Sequence, residues 1–165
     1  MRKTNLKVIY SCYWGSYLAV VAASLHLGFI GNDKFKGNDI LTLQLFNNIK
    51  DDELGELIFL GIDDKGRDIY VIGSKNSGKI LEKTLKGIAE IYGFRTDSVF
   101  FIDLNNYYNN LTLLGILLIR RLGLVNIGIR LVVKGIAKTY NKLKKTVQNV
   151  RDVPVYKGNK LEVDR

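Results

Sequence analysis

The sequence predicts a single three-layer α/β domain, with a mixed sheet of about four strands, one β-hairpin and helices on both faces. Three observations lead there. Short apolar runs rich in β-branched and aromatic residues recur at 6–13, 56–62, 68–73 and 98–104. Stretches of helical periodicity stand between the first run and the second, and between the third and the fourth. An Asp-Lys-Gly turn at 64–66 joins the two middle runs directly. Strand, helix and strand from Asp68 to Leu104 give enough chain for a right-handed parallel crossover.

Each element has a local reason. Leu6–Tyr13 reads as a buried strand ended by Trp14-Gly15-Ser16. From Tyr17 the chain is apolar around most of a helix, and Gly28 stands as its stop. A second, shorter helix is expected over Ile40–Asn48, after a Gly/Asn/Asp/Lys loop. Ser77–Tyr92 places Ile80, Leu81, Leu85, Ile88, Ala89 and Tyr92 on one helical face. Asn105–Asn110 is a polar loop, and Leu111–Leu122 should be a buried helix. The final helix, from about Ile129 to Val150, carries the stripe Ile129, Val133, Ile136, Tyr140, Leu143, Val147 and Val150. Residues 1–150 therefore form the domain, and 151–165 an extended basic tail with Pro154 near its start.

Composition narrows the classes. With 47% apolar and 25% charged residues the chain can bury a core without disulfides or metals. One cysteine, Cys12, excludes an internal disulfide and suits a reducing cytoplasm, the expected location. One histidine and one cysteine exclude a zinc site built on those residue types, and no cofactor is indicated. The apolar N-terminal run is interrupted by Ser11, Cys12 and Ser16, unlike a signal peptide. Leu111–Ile119 stops at Arg120 and Arg121 after nine residues, too few to cross a bilayer. The charge is uneven: from Arg130 onward ten Lys/Arg face three acids, +7 of the total +9, leaving +2 for the rest.

Ligands of open α/β sheets bind beyond the carboxyl ends of the parallel strands, where three loops should converge: Cys12–Ser16, Gly73–Lys79 and Asp103–Asn110. GSKNSGKI at 73–80 has the Gly-x4-Gly-Lys order of a phosphate-binding loop, between a strand and a helix. Ile80 stands where a magnesium-binding hydroxyl belongs, so this is a degenerate version of that loop. Three readings stay open: a capping turn, in which Asn76 or Ser77 starts the helix; anion binding by N–H groups and Lys79; and, last, NTP hydrolysis. In SCYWGSY at 11–17, Cys12 ends a strand before a helix, where thiolate nucleophiles sit; the alternative is a small buried hydrophobe. His26, late in an apolar helix, fits a core or capping role.

The expected site is thus an anionic or phosphorylated small-molecule pocket. Gly15, Ser16, Gly73, Ser74, Asn76, Ser77, Gly78 and Lys79 line it, Asp103 and Asn105 stand opposite, and Cys12 is its candidate nucleophile. The competing expectation is a non-enzymatic interaction module. Lys134, Lys138, Lys142 and Lys145 form one row on the last helix, suited to an acidic membrane surface, nucleic acid or a protein partner, or simply to solvent.

YSCYWGSYLAVVAASLHLG, LGIDDKGRDIYVIG and RRLGLVNIG with the following KGIAKTYNKL helix together resemble domain of unknown function 3189, an uncharacterised family of spore-forming Gram-positive bacteria. The resemblance covers most of the chain. It implies a compact bacterial cytoplasmic domain and no established activity. The family's first loop is richer in His, Gly and Ser, from which Ser11, Trp14, Tyr17 and Leu18 depart.

Overall fold

The computed structural model describes residues 6–31, 35–93 and 98–154; of the expected tail, 151–165, the first two residues continue the last helix and the part beyond 154 lies outside the described residues. The elements run β1 (Lys7–Cys12), α1 (Leu18–Leu27), α2 (Gly37–Leu41), β2 (Ile58–Ile62), β3 (Asp68–Gly73), α3 (Gly78–Ile91), β4 (Val99–Asp103), α4 (Asn110–Leu122) and α5 (Val125–Asp152). The sheet order is β2-β3-β1-β4. β1 is parallel to both neighbours, with Cys12 level with Gly73 and Ser11 level with Asp103. β2 is antiparallel to β3 across the hairpin, with a bulge between Phe59 and Gly61. Right-handed crossovers from β1 to β3 and from β3 to β4 put α1 and α3 on opposite faces.

Alternate β1 residues Val8, Tyr10 and Cys12 join α1 and α5 in one core. α1 is buried from Leu18 to His26, which explains its apolar circumference. Gly28, at φ 74°, closes it, donating to Leu25 O while Phe29 donates to Ser24 O.

A charged cluster lies inside this core, at the end of the sheet opposite the parallel strands' carboxyl ends. Asp63 accepts from His26 Nε2 at 2.9 Å and Arg67 Nε at 2.5 Å through one oxygen. Its other oxygen accepts the N–H groups of Lys65 and Arg67. An ionised carboxylate only accepts, so His26 carries its proton on Nε2, and Nδ1 accepts from the Tyr10 hydroxyl at 2.8 Å. Arg67 reaches on to Val150 O at 2.8 Å and Arg151 O at 3.3 Å, filling carbonyls that the end of α5 leaves open. The hairpin turn therefore fastens the C-terminal end of the longest helix to the sheet.

The second helix is shorter than its sequence suggests. After Leu41, bonds from Leu43 to Ile40, Phe46 to Leu43 and Asn48 to Leu45 make tight three-residue turns. Asn47 is left-handed, at φ 60°, and donates to Ser16 O, so tertiary contact overrides helix continuation. α3 buries Ala89 and half-buries Leu81 and Leu85, but Ile80, Ile88 and Tyr92, expected on its inner face, are exposed.

α4 also corrects the expectation of a buried helix. Its seam with α5 is made of Thr112, Gly115 and Ile116, whereas Leu113, Leu114 and Leu117 are about half exposed. α5 begins at Val125 rather than Ile129, because Gly128 is needed in that seam: a Cβ there would lie 2.6 Å from Gly115 O. Val132 is buried there, together with Val147, whereas Val133 is only half-buried.

Two outcomes follow. A Cβ on Gly115 would stand 2.7 Å from Gly128 O and Val132 N, both backbone, so Gly115→Ala should lower unfolding free energy by about 1–3 kcal/mol in urea denaturation. His26 is held below its ordinary pKa first by burial, with Arg67 adding to this and the Asp63 hydrogen bond opposing it. Well above pH 6.5 neither folded nor unfolded imidazole is charged; as pH falls through about 6.5 the unfolded chain gains the proton first, so stability should drop. Denaturation midpoints should fall between pH 7 and 5 in the parent and much less in His26→Gln.

Candidate functional site

With β1 between two parallel neighbours, the three βα loops meet at one edge of the sheet. β1 leads to a helix on one face and its neighbour β4 is entered from the other, so the β1–β4 gap is the crevice where such sheets take ligands. The question is which side of the first loop, Tyr13–Ser16, offers a seat.

On the α3 side the first loop is clamped to the end of β3. Gly15 has φ 73°, and a Cβ there would fall 2.8 Å from Gly73 N. Ser74 N donates to Cys12 O and Lys75 N to Tyr13 O, each at 3.0 Å, and Ser77 N bonds Ser74 O. Three of the N–H groups expected to cradle an anion are therefore engaged. The Ser74 hydroxyl is buried against Ser11 Oγ at 2.6 Å. The N–H groups of Gly78, Lys79 and Ile80 form the open first turn of α3, and Ser77 gives them no side-chain cap.

The Asp103 carboxylate lies against that turn, since a Cβ on Gly78 would meet its Oδ2 at 2.7 Å. Its other oxygen accepts from Asn105 N at 2.9 Å, and Asn105 Nδ2 donates to Lys75 O at 3.0 Å. A negative side chain thus already sits where the helix dipole favours negative charge. Asn76, Ser77 and Lys79 are exposed around it.

Cys12 is fully buried within the core. The neighbouring Tyr108 phenol is pushed well above its ordinary pKa, first by burial and then by Cys12. Its hydroxyl is enclosed and makes no well-formed hydrogen bond among the described residues, with only the Cys12 thiol and the Trp14 backbone near it; Asn105 Oδ1 is likewise enclosed without a partner among them. Ser16 is buried too, its hydroxyl turned back to Trp14 O at 3.4 Å.

On the α4 side the first loop presents Tyr13 and Trp14, whose rings stand 4.4 Å apart. The Arg120 guanidinium lies 4.4 Å from the Trp14 ring centroid and pairs with Asp51. Arg120 Nη2 also donates to Ile49 O at 3.3 Å, while its buried Nε has no partner among the described residues. Between the loop and α4 a groove of about 400 Å³ opens, lined by Trp14, Asp51, Leu113, Ile116, Leu117, Arg120 and Arg121. An apolar concavity with a few charged groups is the usual form of a small-molecule site.

Sequence reasoning missed this side. It named Gly15 and Ser16 but read Trp14, Arg120 and Arg121 only as a strand end and a helix end. The adjacent Arg120-Arg121 pair ending an apolar helix was the available signal. The Lys134, Lys138, Lys142 and Lys145 row is exposed as expected, and Lys142 Nζ stands 4.7 Å over the Tyr107 ring. Among the described residues no group of three or more His, Cys, Asp or Glu is placed to hold a metal, and no helix is long and apolar enough to cross a membrane.

The fold and this edge define an α/β domain with a three-strand parallel core and its open loops on one side. The family model described as "Protein of unknown function (DUF3189)" matches residues 7–152, and the chain belongs to that family. No curated protein and no solved structure matches it.

The enclosed Tyr108 hydroxyl supplies a direct check on the crevice. Removing a buried hydroxyl that makes no well-formed hydrogen bond relieves its desolvation, so Tyr108→Phe should leave stability unchanged or raise it by up to about 1–3 kcal/mol. A loss above about 1 kcal/mol in thermal or urea unfolding would mean the hydroxyl is bonded.

Proposed function

We propose that this domain binds an anionic small molecule at the carboxyl edge of its sheet, seated in the groove between the first loop and α4. The observation that carries the reading is the pairing of an apolar groove with the Arg120 and Arg121 guanidiniums and the Trp14 ring. Arg120 is held in place by Trp14 and Asp51, so little side-chain freedom is lost when an anion approaches. Arg121 is exposed and free to close on a phosphate or carboxylate with two parallel N–H bonds. The apolar wall of Leu113, Ile116 and Leu117 favours a ligand with a non-polar or planar body.

The α3 turn is the weaker seat for an anion, because three nearby amides are engaged and Asp103 lies on its open amides; the groove also holds a carboxylate, Asp51, but that one is paired with Arg120 and Arg121 adds a second cation. Lys79 and the open α3 amides would then serve as an approach field rather than as the grip. With its thiol buried, Cys12 packs the loop, and the reading needs no nucleophile.

The test is a thermal-shift and calorimetric panel of inorganic phosphate, pyrophosphate, nucleoside phosphates and sugar phosphates. At least one should stabilise the protein, and Arg121→Gln should weaken that binding by roughly tenfold or more. Lys79→Gln should change it little. No stabilisation by any of them, or loss with Lys79→Gln but not Arg121→Gln, would overturn the assignment.

A further inference from the structure

The hairpin of α4 and α5 carries apolar side chains outside its seam as well as in it. The seam packs Gly115, Gly128 and Gly135 closely with Ile116, Ile119 and Val132, while Leu113, Leu114 and Leu117 stay about half exposed.

The outward apolar character culminates at the tip. Leu122, Leu124, Val125 and Ile127 are 61%, 46%, 42% and 55% exposed, clustered around the Gly123 turn with Asn126 among them. Between Asp103 and Asp152 the sequence contains nine Lys/Arg and no acidic residue. Arg121 and Arg130 flank the tip, and both are exposed. A second copy is disfavoured as the occupant, since a twofold contact would bring these like charges together. Nucleic acid would satisfy the charge but leave the aliphatic tip facing water.

We propose that the α4–α5 tip docks on the surface of an anionic lipid bilayer, with Leu122, Leu124, Val125 and Ile127 entering the interfacial layer. Arg121, Arg130 and the lysines further along α5 meet the headgroups. Long basic side chains can lay their stems on apolar surface while keeping the charge at headgroup level. Each basic residue near such a surface adds salt-sensitive attraction. The inference stands on the tip and its charge; it shares only Arg121 with the small-molecule groove, and the variants that test it leave Arg121 in place.

Vesicle flotation tests it, comparing phosphatidylcholine containing about one-third phosphatidylglycerol with phosphatidylcholine alone, at low and high salt. The full chain should float with the anionic vesicles at low salt and bind roughly tenfold or more weakly to the neutral ones. Leu124→Ser/Ile127→Ser and, separately, Arg130→Gln/Lys134→Gln should each reduce binding severalfold with unchanged melting temperature. Absence of binding to anionic vesicles would overturn the proposal. So would full binding by the Leu124→Ser/Ile127→Ser variant, or capture by RNA or polyglutamate with vesicles left untouched.

Discussion

The contact between Gly15 and Gly73 fixes what this sheet edge can do. Two side-chain-free positions let the first loop lie directly on the end of β3, a closeness that a Cβ at Gly15 would forbid. Backbone bonds from Ser74 and Lys75 then tie the second loop to the first. The same contact that brings two glycine-bearing turns together therefore removes amides from anion binding. It also fixes the first loop with Trp14 beside α4, where Arg120 covers its ring.

The opposite end of the sheet works by charge. Burying Asp63, Arg67 and His26 together is tolerable only because the carboxylate has four donors and the guanidinium reaches carbonyls at the end of α5. Breaking such a cluster would leave a buried charge unpaired, so the hairpin turn and α5 act as one unit. α5 then extends from this anchor past the sheet to carry α4, whose outer wall closes the groove. The two ends are linked mechanically: the charged cluster fixes the helix, and the helix supports the Arg120 face.

Much of the fold was legible because its signals are local. The short β-branched and aromatic run at Leu6–Tyr13, the Asp-Lys-Gly turn and the stripe from Ile136 to Val147 each point to an element without reference to the rest. His26 was readable as a core residue, but not its partner, since Asp63 lies 37 positions away and only the β2–β3 hairpin brings it back. The start of α5 was lost for a similar reason. Gly128 reads as a poor helix residue, and its value appears only against Ile119 and Gly115 of the neighbouring helix. The candidate groove was hidden because it joins Trp14, Asp51 and Arg120, three segments that share no motif. The glycine-lysine turn drew attention precisely because it is local, and the carboxylate beside it comes from a different strand.

The central claim is that the seat for an anion lies on the α4 side of the first loop. Amide and indole chemical shifts during a titration with a nucleoside diphosphate test it most directly. The largest changes should fall on the Trp14 indole N–H and the amides of residues 116–121, with Gly78–Ile80 nearly still. Changes concentrated at Gly78–Ile80, with Trp14 and Arg120 unmoved, would contradict it.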